Sequence, residues 1–312
     1  MRSHLKIILL GLLTVAMIVP LGAKELKVLM IGNSFSVCVG KNLPQVVRSV
    51  PGNSLILTSA QIGGCPLDKH SDNLVKSEKD PAFKPYSITV WDSKNPDKQK
   101  NRKGSLNELL KQNQYDIVTI QQASRKSWQY DTYQPAADAV IAYIRKHQPK
   151  AEIVIQQTWA YRTDSPSLKA WKIDQDKMYA GLRDAYAKLA AKYRFRVIPT
   201  GDAVQLFRKY TPVKYQPSEG KFESPNVPSN AGDVVGASFW RPDKKTGKIA
   251  LVTDYAHLNP DGHYLQACLW FTFLYGEPVE KIAFTPKGMD KAKAALLRKC
   301  APEALDNYKQ VK

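Results

Sequence analysis

From residue 26 onward the chain alternates two patterns. Short unbroken apolar runs give way to longer stretches in which apolar side chains recur every three or four positions. Leu26-Lys27-Val28-Leu29-Met30-Ile31, closed by Gly32-Asn33, predicts a buried first strand. Residues 42–50 carry a helical pattern that Pro51-Gly52 ends. Residues 54–60 predict a second strand, and Gln61-Ile62-Gly63-Gly64 the turn after it. Third and fourth strands are predicted at Asp116-Ile117-Val118-Thr119-Ile120 and Glu152-Ile153-Val154-Ile155, and a short fifth at 195–198. Helices are predicted at 135–147, 171–193 and 202–210. Another is capped by Ser105, with Glu108 at the capping-box position. A helix opened by Pro260 runs to residue 275, and a Lys/Ala-rich helix lies around 288–300. Strands alternating with helices predict an α/β protein with a parallel, doubly wound sheet covered by helices on both faces.

Two stretches break the rhythm. Residues 68–104 are polar and lysine-rich, with a strand-like alternation at Tyr86-Ser87-Ile88-Thr89-Val90-Trp91 and a turn at Asn95-Pro96-Asp97. They predict a hairpin excursion from the sheet. Residues 211–248 hold Pro212, Pro217, Pro225, Pro228 and Pro242 with four glycines. A segment this irregular is either a lid or binding loop or a mobile surface insertion. No internal repeat or linker demands a second domain, so 24–312 are expected to form one.

The N-terminus has its own pattern. Arg2, His4 and Lys6 precede an apolar run at 7–19, which Pro20-Leu21-Gly22-Ala23 closes. The run is shorter than the ~20 residues of a spanning helix. Residues 1–23 are therefore expected to be a cleaved secretory signal peptide. The mature chain would be periplasmic or secreted, with no stable membrane anchor.

The chain of 312 residues is strongly basic, with 46 Lys and Arg against 28 Asp and Glu, a formal +18. Loss of Arg2 and Lys6 leaves +16. The cations are spread without an arginine-rich block or a nucleic-acid fold signature, so nucleic acid is not an expected partner. A solvated lysine-rich surface is favoured over an acidic partner such as an anionic polysaccharide or a membrane surface. Cys38, Cys65, Cys268 and Cys300 show no CxxC and no Cys/His metal spacing, which argues against a metal site. Disulfides, which export permits, and buried thiols are equally open.

Ser34 follows the first strand, where a helix is about to begin. The crevice at the carboxyl ends of parallel strands is where such sheets bind ligands, and a helix N-terminus favours a developing oxyanion. A serine there is also a favoured helix cap. A serine hydroxyl needs a neighbouring base. His257, with Asp254 three residues before it, has the spacing for a carboxylate to fix the imidazole tautomer. His263 in Gly262-His263-Tyr264 is a decoy expected on the following helix. Gly64 permits close approach of a backbone N–H to a substrate oxygen. Gln121 and Gln122 offer a side-chain amide at the end of the third strand, and one oxyanion donor contributes about 3 kcal/mol.

These four features fall in the block order of the SGNH/GDSL-type serine hydrolases, which the chain resembles over roughly residues 26–275. Gly32-Asn33-Ser34-Phe35-Ser36 is similar to the first block and Asp254-Tyr255-Ala256-His257-Leu258-Asn259 to the last. Gln61 through His70, Ile120-Gln121-Gln122-Ala123-Ser124 and Gln156-Gln157-Thr158-Trp159-Ala160-Tyr161 resemble an uncharacterised branch common in exported proteins of Bacteroides-like bacteria. The resemblance implies a flavodoxin-like three-layer α/β/α sandwich and ester hydrolysis without a cofactor. Ser34 would attack, His257 would be base and then acid, and Asp254 would orient it. The N–H groups of Ser34 and Gly64 would hold the oxyanion with Gln122, or Gln121, in place of the family's third-block Asn. His70 could line the pocket. Trp128, Trp159, Tyr161 and Trp240 could offer platforms to sugar rings. The expected function is removal of O-acyl (acetyl) groups from a carbohydrate. A non-catalytic glycan-binding protein on the same fold and a lipase or thioesterase are the alternatives. Oligomeric state is not read from the sequence.

Overall fold

A computed structural model describes residues 24–309; the expected signal peptide, 1–23, lies outside them. The strands are β1 (Lys24–Gly32), β2 (Asn53–Gln61), β3 (Tyr86–Asp92), β4 (Gln99–Gly104), β5 (Ile117–Ile120), β6 (Glu152–Gln156), β7 (Val197–Ile198), β8 (Val235–Pro242) and β9 (Ile249–Leu258). The α-helices are α1 (Ser34–Val37), α2 (Leu43–Arg48), α3 (Leu67–Lys79), α4 (Leu106–Gln112), α5 (Ala136–His147), α6 (Pro166–Ala170), α7 (Gln175–Tyr193), α8 (Thr200–Tyr210), α9 (Pro260–Tyr275) and α10 (Lys291–Lys309).

Seven strands form one sheet in the order β4-β3-β2-β1-β5-β6-β7. Within it β2, β1, β5, β6 and β7 run parallel. This is the flavodoxin-like order, with the β3–β4 hairpin added antiparallel along the outer edge of β2. The parallel strands read as continuous apolar runs because both of their faces are covered. Val28, Leu29, Met30 and Ile31 on β1 are all buried, as are Val118 and Ile120 on β5 and Val154 and Ile155 on β6. Helices α3, α4 and α5 pack against one another, and α2, α8 and α10 gather around α9. Helix α9 is apolar almost all round because it lies inside that second layer. The architecture is a three-layer α/β/α sandwich.

The two irregular stretches are more ordered than their composition predicts. The hairpin expected within 68–104 is present, but helix α3 precedes it. Residues 211–248 are not a uniform loop. They include β8, which pairs with β9 as a separate two-stranded sheet. Gly236 forms a bulge in β8 at φ 87°, and a Cβ there would lie 2.8 Å from both Arg162 Nη1 and the Asp254 carbonyl. Only glycine fits that conformation and that approach.

All four cysteines are free and buried. Burial pushes the Cys38 and Cys65 thiols up to about 12. The chain denatured in guanidinium chloride without reductant should therefore yield four thiols to Ellman's reagent, and the native chain few. Two or fewer from the denatured chain would reveal a disulfide.

Candidate active site

Ser34 begins α1 at the carboxyl end of β1, where the strand order reverses between β1 and β5. The capping role belongs to its neighbour. Asn33 Oδ1 accepts from Phe35 N–H at 3.0 Å, so Asn33 is the cap and the Ser34 hydroxyl is left for chemistry. Three strand ends hold this short helix through buried amides. Gln121 Nε2 donates to Asn33 Oδ1 at 2.7 Å, and the single proton of Ser36 Oγ is shared between Gln121 Oε1 and Gln156 Oε1, both at 3.1 Å. Gln156 Nε2 donates to the Phe35 carbonyl at 3.3 Å. Asn33 Nδ2 reaches the Cys65 carbonyl at 3.3 Å, which ties the loop of Gly64 to the loop of Ser34.

Asp254 and His257 come from β9. Ser34 Oγ lies 2.7 Å from His257 Nε2, and His257 Nδ1 lies 2.7 Å from Asp254 Oδ2. The other carboxylate oxygen accepts from the backbone N–H groups of Ala256 and His257 at 2.8 and 3.0 Å. Burial opposes the charge on Asp254, but the bonds from the His257 ring and from these two N–H groups overcome it and hold its pKa at about 2. With the carboxylate ionised, Nδ1 carries the proton, and Nε2 is free to accept from Ser34.

The imidazole is braced from below. Trp159 stacks on Phe35 with centroids 4.2 Å apart, and Phe35 meets His257 edge-on at 5.1 Å. Trp159 Nε1 donates to the Ala256 carbonyl at 2.8 Å, which fixes the backbone beside the base. Arg162, 1% exposed, anchors the hairpin. Its guanidinium takes Asp164 through two bonds of 2.7 and 3.0 Å and Asn230 at 3.0 Å, between the rings of Tyr215 and Tyr255. Its backbone N–H donates to the Tyr255 carbonyl. Asn259 caps α9 and donates to the Asp233 and Gly236 carbonyls.

Gly64 has φ 59° in the turn after β2, with its carbonyl taken by Arg125 Nη1 at 2.8 Å. The Ser34 and Gly64 N–H groups thus stand on two loops joined through Asn33. The glutamines do not supply the expected third donor. Gln121 is spent on Asn33 and Ser36. Gln122 Nε2 donates to the Thr132 carbonyl, and its oxygen accepts from the N–H groups of Leu67 and Ala123. Both are buried, and their amides point into the protein. His70 does not line a pocket. It is fully buried on α3 with Nδ1 2.8 Å from the Tyr86 hydroxyl, and burial lowers its pKa to about 4. Trp159 is fully buried and cannot be a sugar platform. Trp128 packs near Trp171, and Trp240 donates to the Asn226 carbonyl. Tyr161 is nearly buried, with its hydroxyl 2.7 Å from Ser124 Oγ. His263 lies on α9, held down to about 4 by burial, with Lys41 and His257 adding to it.

Sequence reasoning missed Asn33 as a cap, Arg162 as an anchor and Arg125 as a neighbour of Gly64. The Asn before Ser34 was the one available signal, since Asn is a favoured cap.

Fold and site together define the class, a three-layer α/β/α sandwich with a Ser–His–Asp constellation at the switch point of its sheet. The sequence profile described as a domain of unknown function, DUF4886, matches residues 27–215, and the chain belongs to that family. The match takes in Ser34 and Gly64 and ends before Asp254. A DUF4886 protein from Bacteroides uniformis is 26% identical with a TM-score of 0.72, over 90% of this chain and 95% of that one. Likeness is lower to a candidate SGNH hydrolase from Slackia heliotrinireducens, 16% identical with a TM-score of 0.45 over 78% of this chain and 96% of that one. It is lower also to a catalytic mutant of the acetylxylan esterase Axe2 from Geobacillus stearothermophilus, 11% identical with a TM-score of 0.42 over 85% and 96%. At these scores neither likeness bears on function. Among curated proteins no sequence matches significantly.

Asp254→Asn should slow the reaction of Ser34 with a fluorophosphonate by on the order of 10⁴-fold, because the imidazole loses its fixed tautomer. Its effect on stability should follow pH. The carboxyl is depressed in the fold, so its contribution is full above its ordinary pKa of 3.8 and is lost as pH falls through about 2. Denaturant melts of both proteins from pH 7 to 2 should converge at the acid end.

Proposed function

We propose that this protein is an exported serine ester hydrolase that removes O-acyl groups, acetyl foremost, from a carbohydrate. The observation that carries the reading is the pair of 2.7 Å contacts from Ser34 to His257 and from His257 to Asp254. Export rests on the sequence pattern of residues 1–23, and the carbohydrate on the exposed polar side chains of Arg125 and Lys69 by the Gly64 loop.

The chemistry follows from that geometry. As Ser34 Oγ attacks the acyl carbon, its proton passes to His257 Nε2. Asp254 stabilises the imidazolium without itself taking a proton. Negative charge gathers on the carbonyl oxygen, where the Ser34 and Gly64 N–H groups stand as donors. Collapse of the tetrahedral intermediate breaks the ester bond. His257 returns the proton to the departing sugar oxygen and leaves an acyl group on Ser34. Water then attacks, with His257 as base, and the carboxylic acid departs. A lipase would be served by an apolar groove, whereas Arg125 and Lys69 are exposed beside the Gly64 loop. A purely glycan-binding protein has no need of an aligned base.

The purified mature chain should hydrolyse 4-nitrophenyl acetate and release acetate from an acetylated glycan panel, and a fluorophosphonate should label Ser34. Ser34→Ala should lower kcat by on the order of 10⁴-fold or more and abolish labelling, with an unchanged circular dichroism spectrum. A wild-type chain that neither takes the probe nor cleaves any ester would sink the proposal.

A further inference from the structure

The rim of this site carries charge that the triad does not use. Arg125 is exposed in the loop after β5, and its bond to the Gly64 carbonyl holds the guanidinium against the turn that carries Gly64. A Cβ placed on Gly64 would come within 3.2 Å of the same nitrogen. The Tyr161 hydroxyl, 2.7 Å from the Oγ of Ser124 next to Arg125, feels the charges of both Arg125 and Asp254. Lys69, exposed on the first turn of α3, acts with Arg125 on the Cys65 thiol next to Gly64. Lys41 is exposed four residues after α1 and is one of the charges that lower His263.

Two acids of the site are engaged elsewhere. Asp68 pairs with Lys126 at 2.8 Å, and Asp254 belongs to His257. Among the described residues Arg125, Lys69 and Lys41 enter no ion pair. Unpaired cations beside one crevice repel one another, and an anion seated among them relieves that repulsion. A guanidinium with one nitrogen fixed by a backbone carbonyl keeps further N–H groups in a planar fork that matches a carboxylate.

We propose that Arg125, supported by Lys69, seats the carboxylate of an acidic sugar next to the acylated one, so that the substrate is an O-acylated uronate-containing glycan. The inference rests on the ester-hydrolase reading above and narrows its substrate class. It also gives the basic composition a place to act. The field of the rim steers a polyanion to Ser34, and Arg125 fixes its register.

Hydrolysis of 4-nitrophenyl acetate by the wild type tests the esterase reading separately. The substrate class is then tested with O-acetylated oligogalacturonate and a neutral O-acetylated xylo-oligosaccharide of equal length. At low ionic strength kcat/KM should favour the acidic substrate by about tenfold or more, as expected of a charge-assisted hydrogen bond. Salt should erode that advantage and leave the neutral substrate unmoved. Arg125→Gln should cut the acidic-to-neutral ratio by about tenfold, mainly through KM, and Arg125→Lys should restore part of it. Should Arg125→Gln fail to fold, Lys69→Gln and the wild-type salt series read the same ratio. Four results overturn the proposal: equal kcat/KM for the two substrates, a salt-independent ratio, no turnover of the acidic substrate by an enzyme that cleaves 4-nitrophenyl acetate, or an equal loss of kcat on both substrates in Arg125→Gln. The last would make Arg125 an oxyanion donor.

Discussion

The contact between Ser34 and His257 joins positions 223 residues apart. Everything else in the structure is arranged around keeping that one hydrogen bond in place. A serine hydroxyl and an imidazole left in water have no reason to stay together, because the bond repays little of the entropy lost in making it. The protein meets this by fixing each partner separately. Buried amides at the ends of β1, β5 and β6 hold the turn that carries Ser34. The Trp159–Phe35 stack and the buried Arg162 cluster hold the hairpin that carries His257. Each amide or guanidinium is satisfied by partners on a different element, so removing any one leaves a buried polar group exposed to the cost of going unpaired.

This explains why strand-end polar residues are misleading when read as ligand contacts. The sequence places Gln121, Gln122 and Gln156 where a substrate would arrive. Their side chains instead turn inward and position backbone. The same holds for His70 and Trp159, which lie close to the site in the chain and face away from it. A polar or aromatic side chain at the mouth of an α/β sheet has two destinations, and the periodicity of the strand before it does not choose between them.

The central strands were legible because burial on both faces leaves an apolar run that little else produces. The order of Ser34, Gly64 and Asp254/His257 was legible because the sheet topology maps chain order onto one crevice. Helix α3 was hidden: His70, Asn73 and Ser77 share its buried face with Leu67 and Leu74, so the usual apolar stripe is diluted among lysines. Strand β9 was hidden for the opposite reason. Nearly all of its residues are half-exposed, and no inside-outside alternation can be seen. The bond of Arg125 to Gly64, the tie from Asn33 to the Gly64 loop and the reach of Arg162 to Asn230 join positions 61, 32 and 68 residues apart. No local pattern carries such information.

The β8–β9 hairpin stands outside the seven-stranded sheet, yet it bears two of the three reacting side chains. A two-stranded ribbon is barely stable by itself in water. It persists here through its docking on Arg162, Trp159 and the bulge at Gly236. The molecule therefore has two levels of order: a sandwich whose sheet contains neither Asp254 nor His257, and a ribbon that reaches the core through Val235 and Leu258. Competence for chemistry is then a property of the weaker level, so that a population of folded molecules can be larger than the population able to react.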